Sequence, residues 1–282
     1  MRYFFLLLLA LLTSCGKKPQ DVRVMTFNLR YITSEDRGPR EWTARRDAAA
    51  ATIRDDQPDF VGVQEAFRTM LDDLHERLPG FSEIGVGRED GKTKGEYAAI
   101  LYRNDRWEAL ESGTFWLSDT PDVPGSATWG NKVTRICTWA RFRHLETKRE
   151  IALFNAHYDH QSQPAREHAS EMILKRIQSL SGGPPVVMTG DLNATPDNPS
   201  IISLTTGNPP LTDAWAVLNP GASPATSGTF HDFTAKPDGP RIDYILTTSG
   251  IAVRESAILR PTGADGHPPS DHFPVRATLA LP

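Results

Sequence analysis

From residue 22 onward, short β-rich apolar segments alternate with segments of helical periodicity, and no linker interrupts the alternation. Segments 22–29 and 60–64 have the composition of buried strands, whereas 41–57 and 69–78 place apolar side chains on one helical face. Further strands are predicted over 81–86, 97–102, 136–144, 150–156, 186–189, 242–246, 252–259 and 273–281, and a third helix over 164–181. Because strands outnumber helices and both occur throughout, the pattern favours two sheets with helices outside them over a single parallel sheet.

The composition is that of a folded protein. Hydrophobic residues make up 39% and charged residues 23% of the 282 residues, which excludes a disordered or collagen-like chain. The 31 basic and 35 acidic residues give a net charge of −4, so bulk charge does not indicate a strongly basic nucleic-acid binder. The two cysteines are too few for a disulfide framework or, by themselves, for a zinc site.

The N-terminus has the pattern of an export signal. Arg2 precedes an uncharged run over 3–12, which is too short to span a bilayer as a helix but has the length of a secretory hydrophobic region. The sequence Leu-Thr-Ser-Cys that ends at Cys15 resembles the lipobox of bacterial lipoproteins, in which the signal is removed and the cysteine is lipidated. The alternative is an incidental cysteine in an ordinary signal peptide.

The lipobox resemblance implies a signal peptide over 1–14, a lipidated Cys15 with a short tether over 15–21, and a folded domain over 22–282. It also implies that the protein is anchored to a membrane through Cys15 and works outside the cytoplasm, in the bacterial cell envelope. Cys137 then remains as a lone thiol within a predicted strand.

Polar side chains cluster directly after the apolar strand segments. They are Asn28 in TFNLR, Glu65 in VGVQE, His157 and Asp159 in NAHYDH, Asp191 and Asn193 in GDLN, Asp243 in RIDYI, and Asp271 and His272 in SDHFPV. Any one of these residues is typical of a turn, a helix cap or a hydrogen-bonded core position. Their coincidence at successive strand ends indicates a functional site.

In its residues and their order, this set resembles the endonuclease/exonuclease/phosphatase superfamily, and the resemblance covers about residues 22–282. It implies an α/β fold, a four-layer α/β/β/α sandwich of two mixed β-sheets flanked by helices. It also implies divalent-metal-dependent hydrolysis of phosphoester bonds, as a phosphodiesterase or a phosphatase.

The resemblance also implies roles for individual residues. Glu65 is the expected metal ligand, and Asn28 and Asp271 complete or support the site. Mg²⁺ is the expected ion because it prefers oxygen ligands, and Mn²⁺ is a plausible substitute. The absence of clustered cysteines argues against a zinc cage.

The expected catalytic groups follow from the same resemblance. Asp191 corresponds to the water-activating carboxylate, and Asn193 helps to orient the nucleophile and the phosphate. Asp243 and His272 resemble an Asp–His pair that stabilises transition-state charge, with a purely structural hydrogen bond as the alternative. His157 is expected as a phosphate ligand or general acid. Tyr102 resembles a tyrosine that reaches the phosphate region, with a strand-end aromatic in the core as the alternative.

Substrate contacts are expected from a second set of residues, namely Asp159, His160, Arg135, Trp129, Phe230 and His231. The alternative is packing within the loops for the aromatic residues, positioning of His157 for Asp159 and His160, and a surface strand position for Arg135. Because the basic residues are dispersed, a small phosphoester or a lipid headgroup is at least as plausible a substrate as nucleic acid. The protein is expected to be a monomer.

Two other function classes fit parts of the sequence. A non-catalytic module on the same fold would bind a phosphorylated ligand without hydrolysing it. A glycosidase would use paired carboxylates, although the Asp–His and GDLN motifs are superfluous for that mechanism.

Overall fold

The computed structural model describes residues 20–282, so the predicted signal peptide and Cys15 lie outside the described residues. Within this range twelve strands form two six-stranded mixed sheets. The strands are β1 (Gln20–Asn28), β2 (Phe60–Ala66), β3 (Phe81–Ile84), β4 (Tyr97–Arg103), β5 (Trp107–Trp116), β6 (Ile136–His144), β7 (Glu150–His157), β8 (Val186–Asp191), β9 (Thr212–Asp213), β10 (Asp243–Thr247), β11 (Ala252–Ile258) and β12 (Val275–Leu281).

Six α-helices and one short 3-10 helix (Gly38–Arg40) accompany the strands in this range. The α-helices are α1 (Trp42–Asp56), α2 (Arg68–Arg77), α3 (Gln163–Leu180), α4 (Pro199–Thr206), α5 (Ala214–Leu218) and α6 (Pro224–Ser227). None of the helices within residues 20–282 combines the length and apolar character needed to cross a bilayer.

The two sheets have related strand orders. The first sheet runs β11-β12-β1-β2-β4-β3 and the second runs β5-β6-β7-β8-β10-β9. At the centre of each sheet lies a parallel pair, β1 with β2 and β7 with β8, and the other neighbours are antiparallel. The parallel pairs bring Asn28 beside Gln64 in one sheet and His157 beside Asp191 in the other.

Three apolar cores separate four layers. Side chains of α1 and α2 pack against one face of the first sheet, and side chains of α3 and α4 pack against one face of the second. The third core lies between the sheets and contains Val24, Phe60, Phe142, Leu153 and Val187. The four-layer sandwich of two mixed sheets that the sequence predicts is therefore confirmed.

One buried amide connects the sheets near their site-bearing edges. The side-chain nitrogen of Asn155 on β7 donates to the carbonyl oxygens of Val63 (2.9 Å) and Ala99 (2.8 Å) in the first sheet. Its oxygen accepts from Gln64 Nε2 at 2.7 Å and from Thr189 Oγ1 at 3.0 Å. Both N–H donors and both acceptor sites of the Asn155 amide are used, so its hydrogen bonds fix the alignment of the two sheets.

A glycine allows this close approach. A Cβ atom at Gly62 on β2 would lie 2.1 Å from Thr189 Oγ1 and 2.6 Å from Asn155 Oδ1. Any larger residue at position 62 would therefore push the sheets apart beside the Asn155 bridge.

The structure contains elements that the sequence pattern did not predict. Strand β5 lies at the edge of its sheet and exposes most of its central residues, so it lacks the alternation that marks a half-buried strand. The short elements α4, α5, α6 and β9 also went unpredicted, since they are too brief to develop a periodic signal.

We expect Asn155→Ala to lower the free energy of unfolding by roughly 3 kcal/mol or more, because each buried polar group that loses its partner costs about 1–3 kcal/mol. Urea unfolding followed by circular dichroism measures the change. Asn104→Ala is the matched control, since Asn104 is exposed and its side chain donates a hydrogen bond to Ser82 Oγ at 3.0 Å near the surface. Equal effects of the two substitutions would contradict the bridging role of Asn155.

Candidate active site

The strand ends of both sheets meet around one cavity of about 710 Å³. Asn28, Glu65, His157 and Asp191 lie at or beside the carboxyl ends of the two parallel strand pairs. Asp243 begins β10 directly opposite Asp191. The lining residues are Arg30, Tyr31, Glu65, Arg88, Glu96, Val133, Arg135, His157, His160, Asp191, Asn193, Ala194, Thr195, Asn198, Phe230, Pro240, Ile242, Asp271 and His272.

Asn28 joins two carboxylates that come from different sheets. Its Nδ2 donates to Glu65 Oε1 at 3.1 Å and to Asp191 Oδ2 at 2.9 Å. Its oxygen accepts from the Arg30 backbone N–H at 2.9 Å, which fixes the orientation of the amide. The Tyr31 N–H donates to the other Glu65 oxygen at 2.8 Å. The carboxylates of Glu65 and Asp191 are thus held near each other by donors from the end of β1 and from the loop that follows it.

Three residues that line the cavity have an unusual backbone conformation. Arg30, Glu65 and Asn193 have φ values of 57°, 62° and 47°, in the left-handed region that side chains disfavour. Glu65 also lies where the pairing of β2 with β4 shifts register, so a bulge turns its side chain out of the sheet. Such strain is found at functional sites more often than elsewhere.

His272 is paired with Asp243 on one side of Asp191. Its Nδ1 lies 2.8 Å from Asp243 Oδ2, and its Nε2 lies 3.8 Å from Asp191 Oδ2. Burial by itself lowers the pKa of His272, but the charges of Asp243 and Asp191 outweigh burial and raise the pKa well above its ordinary value. His272 therefore faces the cavity as a protonated imidazolium.

His157 lies on the other side of Asp191 in the opposite electrostatic environment. Burial and the neighbouring Arg135 charge hold the pKa of His157 well below its ordinary value. Arg135 Nη1 donates to His157 Nδ1 at 2.8 Å. Because a guanidinium has only donors, this Nδ1 is an acceptor and the ring proton lies on Nε2, which is 3.5 Å from Asp191 Oδ2.

The same guanidinium orients a second histidine. Arg135 Nη2 donates to His160 Nδ1 at 3.0 Å, so one planar fork fixes both imidazole rings. Arg135 is 6% exposed and its Nε lies 4.0 Å from Asp159 Oδ2, its nearest carboxylate ion-pair partner. Burial lowers the pKa of Arg135, yet an arginine remains charged at neutral pH.

The carboxylates suit a hard divalent cation. Burial, followed by the charge of Asp243, raises the pKa of Asp191 to about 7, so a nearby positive charge would relieve a real electrostatic cost. Donor atoms of Glu65, His157 and Asp191 all lie within 4.8 Å of one another. Since His157 Nε2 carries a proton, the oxygens of Glu65 and Asp191 are the available ligands, which fits Mg²⁺ or Mn²⁺ better than Zn²⁺.

Asp271 lines the same cavity, and its Oδ2 lies 3.6 Å from Arg30 Nη1. Burial raises the pKa of Asp271. The direct ligand roles expected for Asn28 and Asp271 stay predictions, because Asn28 presents its nitrogen to the carboxylates and Asp271 is paired with Arg30.

Several residues that shape the cavity carry no recognisable sequence signal. Arg88 forms a bidentate salt bridge with Glu96, with N–O distances of 2.7 and 2.6 Å. Both residues line the cavity, although the sequence of their loop is typical of a polar surface loop. Buried Arg45 donates to the backbone oxygens of Leu29, Arg30 and Pro269 and so ties the segment after β1 to the one before Asp271. Only the folded chain brings these residues to the strand ends.

Of the two alternatives for Tyr102, the structure matches the strand-end aromatic in the core and contradicts the position in the phosphate region. Tyr102 pairs with Phe60, at the start of β2, and its ring packs 4.9 Å from that of Phe142. Five residue steps separate Phe60 from Glu65, which corresponds to about 16 Å along a strand. Because β4 runs antiparallel to β2, its last residues lie at the end of the sheet remote from the cavity.

Three expected substrate contacts do not line the cavity. Trp129 packs against His168 of α3 with 5.3 Å between ring centroids, and its Nε1 donates to Asp119 at 2.8 Å. The His231 ring packs against the Phe273 ring with 4.0 Å between centroids. Asp159 accepts from the backbone of Gln161 and Ser162 ahead of α3.

The other expected contacts do reach the cavity. Arg135, His160 and Phe230 line it, and the Phe230 ring lies edge-on to His272 with 5.1 Å between centroids. Asn193 also lines it, with its N–H bonded to Asp191 Oδ1 at 3.0 Å. Phe230 therefore provides an apolar wall beside the imidazolium.

Comparison with known proteins identifies related chains. The model of the Endonuclease/Exonuclease/phosphatase family matches residues 25–272. A Bacteroides vulgatus protein described as an endonuclease/exonuclease/phosphatase is 36% identical, with 93% of this chain and 100% of that chain covered and a TM-score of 0.85. The Bacteroides thetaiotaomicron mannosyl-6-phosphatase is 34% identical, with 92% and 99% covered and a TM-score of 0.84.

More distant structures share the fold alone. The catalytic domain of human Nocturnin, solved with a bound sulfate anion, is 18% identical over 93% of this chain and 95% of that chain, with a TM-score of 0.70. No curated protein sequence matches the chain significantly.

We expect Arg135→Lys to reduce kcat by about 10- to 100-fold with a smaller change in KM, as for other residues that orient catalytic groups from behind. A lysine keeps the charge but cannot hold two imidazoles with one planar fork. Steady-state kinetics on p-nitrophenyl phosphate measure the effect. Arg141→Lys is the control, because Arg141 lies on β6, the strand that begins directly after Arg135, and pairs with Glu111 at the surface. An unchanged kcat in Arg135→Lys would contradict the positioning role.

Proposed function

The chain belongs to the endonuclease/exonuclease/phosphatase family, and we propose that it is a divalent-metal-dependent phosphoesterase that acts on a small phosphomonoester outside the cytoplasm. The observation that carries the proposal is the placement of Asp191. Its carboxylate is joined to Glu65 through Asn28 and lies between a protonated His272 and a neutral His157. The proposed metal ligands, base and charge-stabilising groups for phosphate hydrolysis therefore lie around one cavity.

The proposed metal site uses Glu65, with Asp191 facing it and with Asn28 and Asp271 in support. A divalent ion bound here supplies Lewis acidity that neutralises phosphate charge. Mg²⁺ is the proposed physiological ion, since the available donors are carboxylate oxygens.

Asp191 is the proposed acceptor of the proton from the attacking water. Its Oδ1 is fixed by the Asn193 N–H at 3.0 Å and its Oδ2 by Asn28 at 2.9 Å, so the carboxylate cannot turn away. Asn193 is itself anchored through Nδ2 to the Tyr158 carbonyl at 3.0 Å. Such fixed orientation lowers the barrier by holding reacting groups in place before reaction.

His272 and His157 divide the handling of phosphate charge. His272, kept protonated by Asp243, donates a positively charged N–H to the phosphate oxygens as charge develops in the transition state. His157, kept neutral by Arg135, donates from Nε2 without adding a full charge. The difference in charge between the two histidines follows from their neighbours, a carboxylate for His272 and a guanidinium for His157.

A sugar phosphate is the proposed substrate class. The 34% identical mannosyl-6-phosphatase from Bacteroides thetaiotaomicron supports this choice. A cavity of about 710 Å³ suits a mono- or disaccharide phosphate, and polar Thr195 and Asn198 beside apolar Phe230 suit a sugar ring. The net charge of −4 argues against a polynucleotide.

The location is proposed from the sequence of the N-terminus. Export and lipidation at Cys15 would place the folded domain in the cell envelope, tethered to a membrane. Mass spectrometry of the mature N-terminus tests this part independently of activity.

We expect Asp191→Asn and His272→Ala to lower kcat by about 10²–10⁴-fold, because each removes a group that acts on protons or charge in the transition state. Phosphate release from mannose 6-phosphate and p-nitrophenyl phosphate measures the loss, and circular dichroism checks folding. Asp55→Asn is the control, since Asp55 is exposed near the end of α1, pairs with the exposed Arg54 and does not line the cavity.

Three results would overturn the catalytic assignment. Full activity in folded Asp191→Asn and His272→Ala would remove their roles. Ligand binding without turnover on any phosphoester would favour a binding module, and metal-independent cleavage of an aryl glycoside would favour a glycosidase.

We expect excess EDTA to abolish activity and added Mg²⁺ or Mn²⁺ to restore it. Glu65→Gln should weaken Mn²⁺ binding by at least about tenfold, because it removes a charged ligand. Titration calorimetry measures the affinity directly. Glu108→Gln serves as the control, since Glu108 is exposed on β5. Unchanged Mn²⁺ affinity in Glu65→Gln would contradict the assigned site.

A further inference from the structure

Strand β1 connects the predicted tether to the active site. It begins at Gln20 and ends at Asn28, whose amide joins the two site carboxylates. Eight residue steps separate these positions, which corresponds to about 26 Å along an extended strand. The point where the chain enters the folded domain and the cavity therefore lie at opposite ends of the sandwich.

Other elements define the end that contains Gln20, here called the base. Gln20 pairs with Leu281, and its side-chain oxygen accepts from the hydroxyl of Thr147 in the turn after β6. That turn, residues 145–149, starts from the end of β6 where His144 pairs with Trp107. The base thus consists of Gln20, turn 145–149 and the C-terminal end of β12.

The tether is too short to reach from the base to the cavity end. Five residue steps separate Cys15 from Gln20, and a fully extended chain of that length spans at most about 18 Å. Bringing the cavity mouth onto the membrane that holds Cys15 would need about 26 Å of chain along the side of the domain.

We propose that the cavity faces away from the membrane that anchors Cys15, and that the substrate is a water-soluble phosphoester and not a lipid headgroup of that membrane. The inference rests on the proposed lipidation and deepens the proposed phosphoesterase function. It narrows the choice between small molecules and lipid headgroups that the sequence left open.

Two single-cysteine labels measure the orientation. In full-length lipidated protein reconstituted in phosphatidylglycerol-containing vesicles, Glu146→Cys labels the base and Ser34→Cys labels the loop after β1 at the cavity end; both positions are exposed. Cys137 is buried, and burial raises the pKa of its thiol, so the unsubstituted chain should take up no dye. Energy transfer to a headgroup-labelled lipid reports the distance of each dye from the membrane.

We expect strong transfer from position 146 and weak transfer from position 34. Insertion of a flexible segment of about 30 Gly and Ser residues after Lys18 should reduce the difference between the positions, because such a chain is long enough to release the domain. Equal transfer in the native-length protein, or stronger transfer from position 34, would overturn the inference. Failure to bind vesicles would also overturn it by removing the lipid anchor.

Activity provides a second readout that separates this inference from the proposed function. Anchored protein and soluble Cys15→Ser protein should hydrolyse p-nitrophenyl phosphate with kcat/KM values within about twofold, because the cavity is open to water in both. A larger loss on anchoring would contradict the orientation. Inactivity of both forms would reject the proposed function, while the dye distances would still report the orientation.

Discussion

The buried amide of Asn155 fixes the alignment of the two sheets, and the active site depends on that alignment. Its four hydrogen bonds join β7 to β2, β4 and β8 just below the cavity, and Gly62 leaves the space that this close approach requires. Asn28 and Glu65 come from one sheet, whereas His157, Asp191 and Asp243 come from the other. A shift between the sheets would therefore separate the groups that we propose to act together.

Partners of opposite charge give the two histidines beside Asp191 different protonation states. Asp243 stabilises a proton on His272, and Arg135 donates to His157 so that its Nδ1 stays unprotonated. Asp191 lies between them and retains an elevated pKa through burial and the nearby Asp243 charge. Environments that shift the pKa values of neighbouring titratable groups in opposite directions are characteristic of sites that transfer protons.

The sequence predicted the sandwich and most of the strand-end residues because side-chain periodicity is local and strands end in polar residues. It misplaced Tyr102 because strand direction is a tertiary property, and β4 runs opposite to β2. Arg88 and Glu96 were missed because their pairing arises from a loop of ordinary polar composition. Edge strand β5 was missed because its exposed residues do not alternate with buried ones.

The most direct test of a single hydrolytic centre shared by both sheets is a diffraction experiment on crystals grown with Mn²⁺, using the anomalous signal of the metal. The account predicts one strong peak inside the cavity, bound by the Glu65 carboxylate on the side that faces Asp191. A cavity free of metal, in crystals of protein whose activity depends on Mn²⁺, would contradict it.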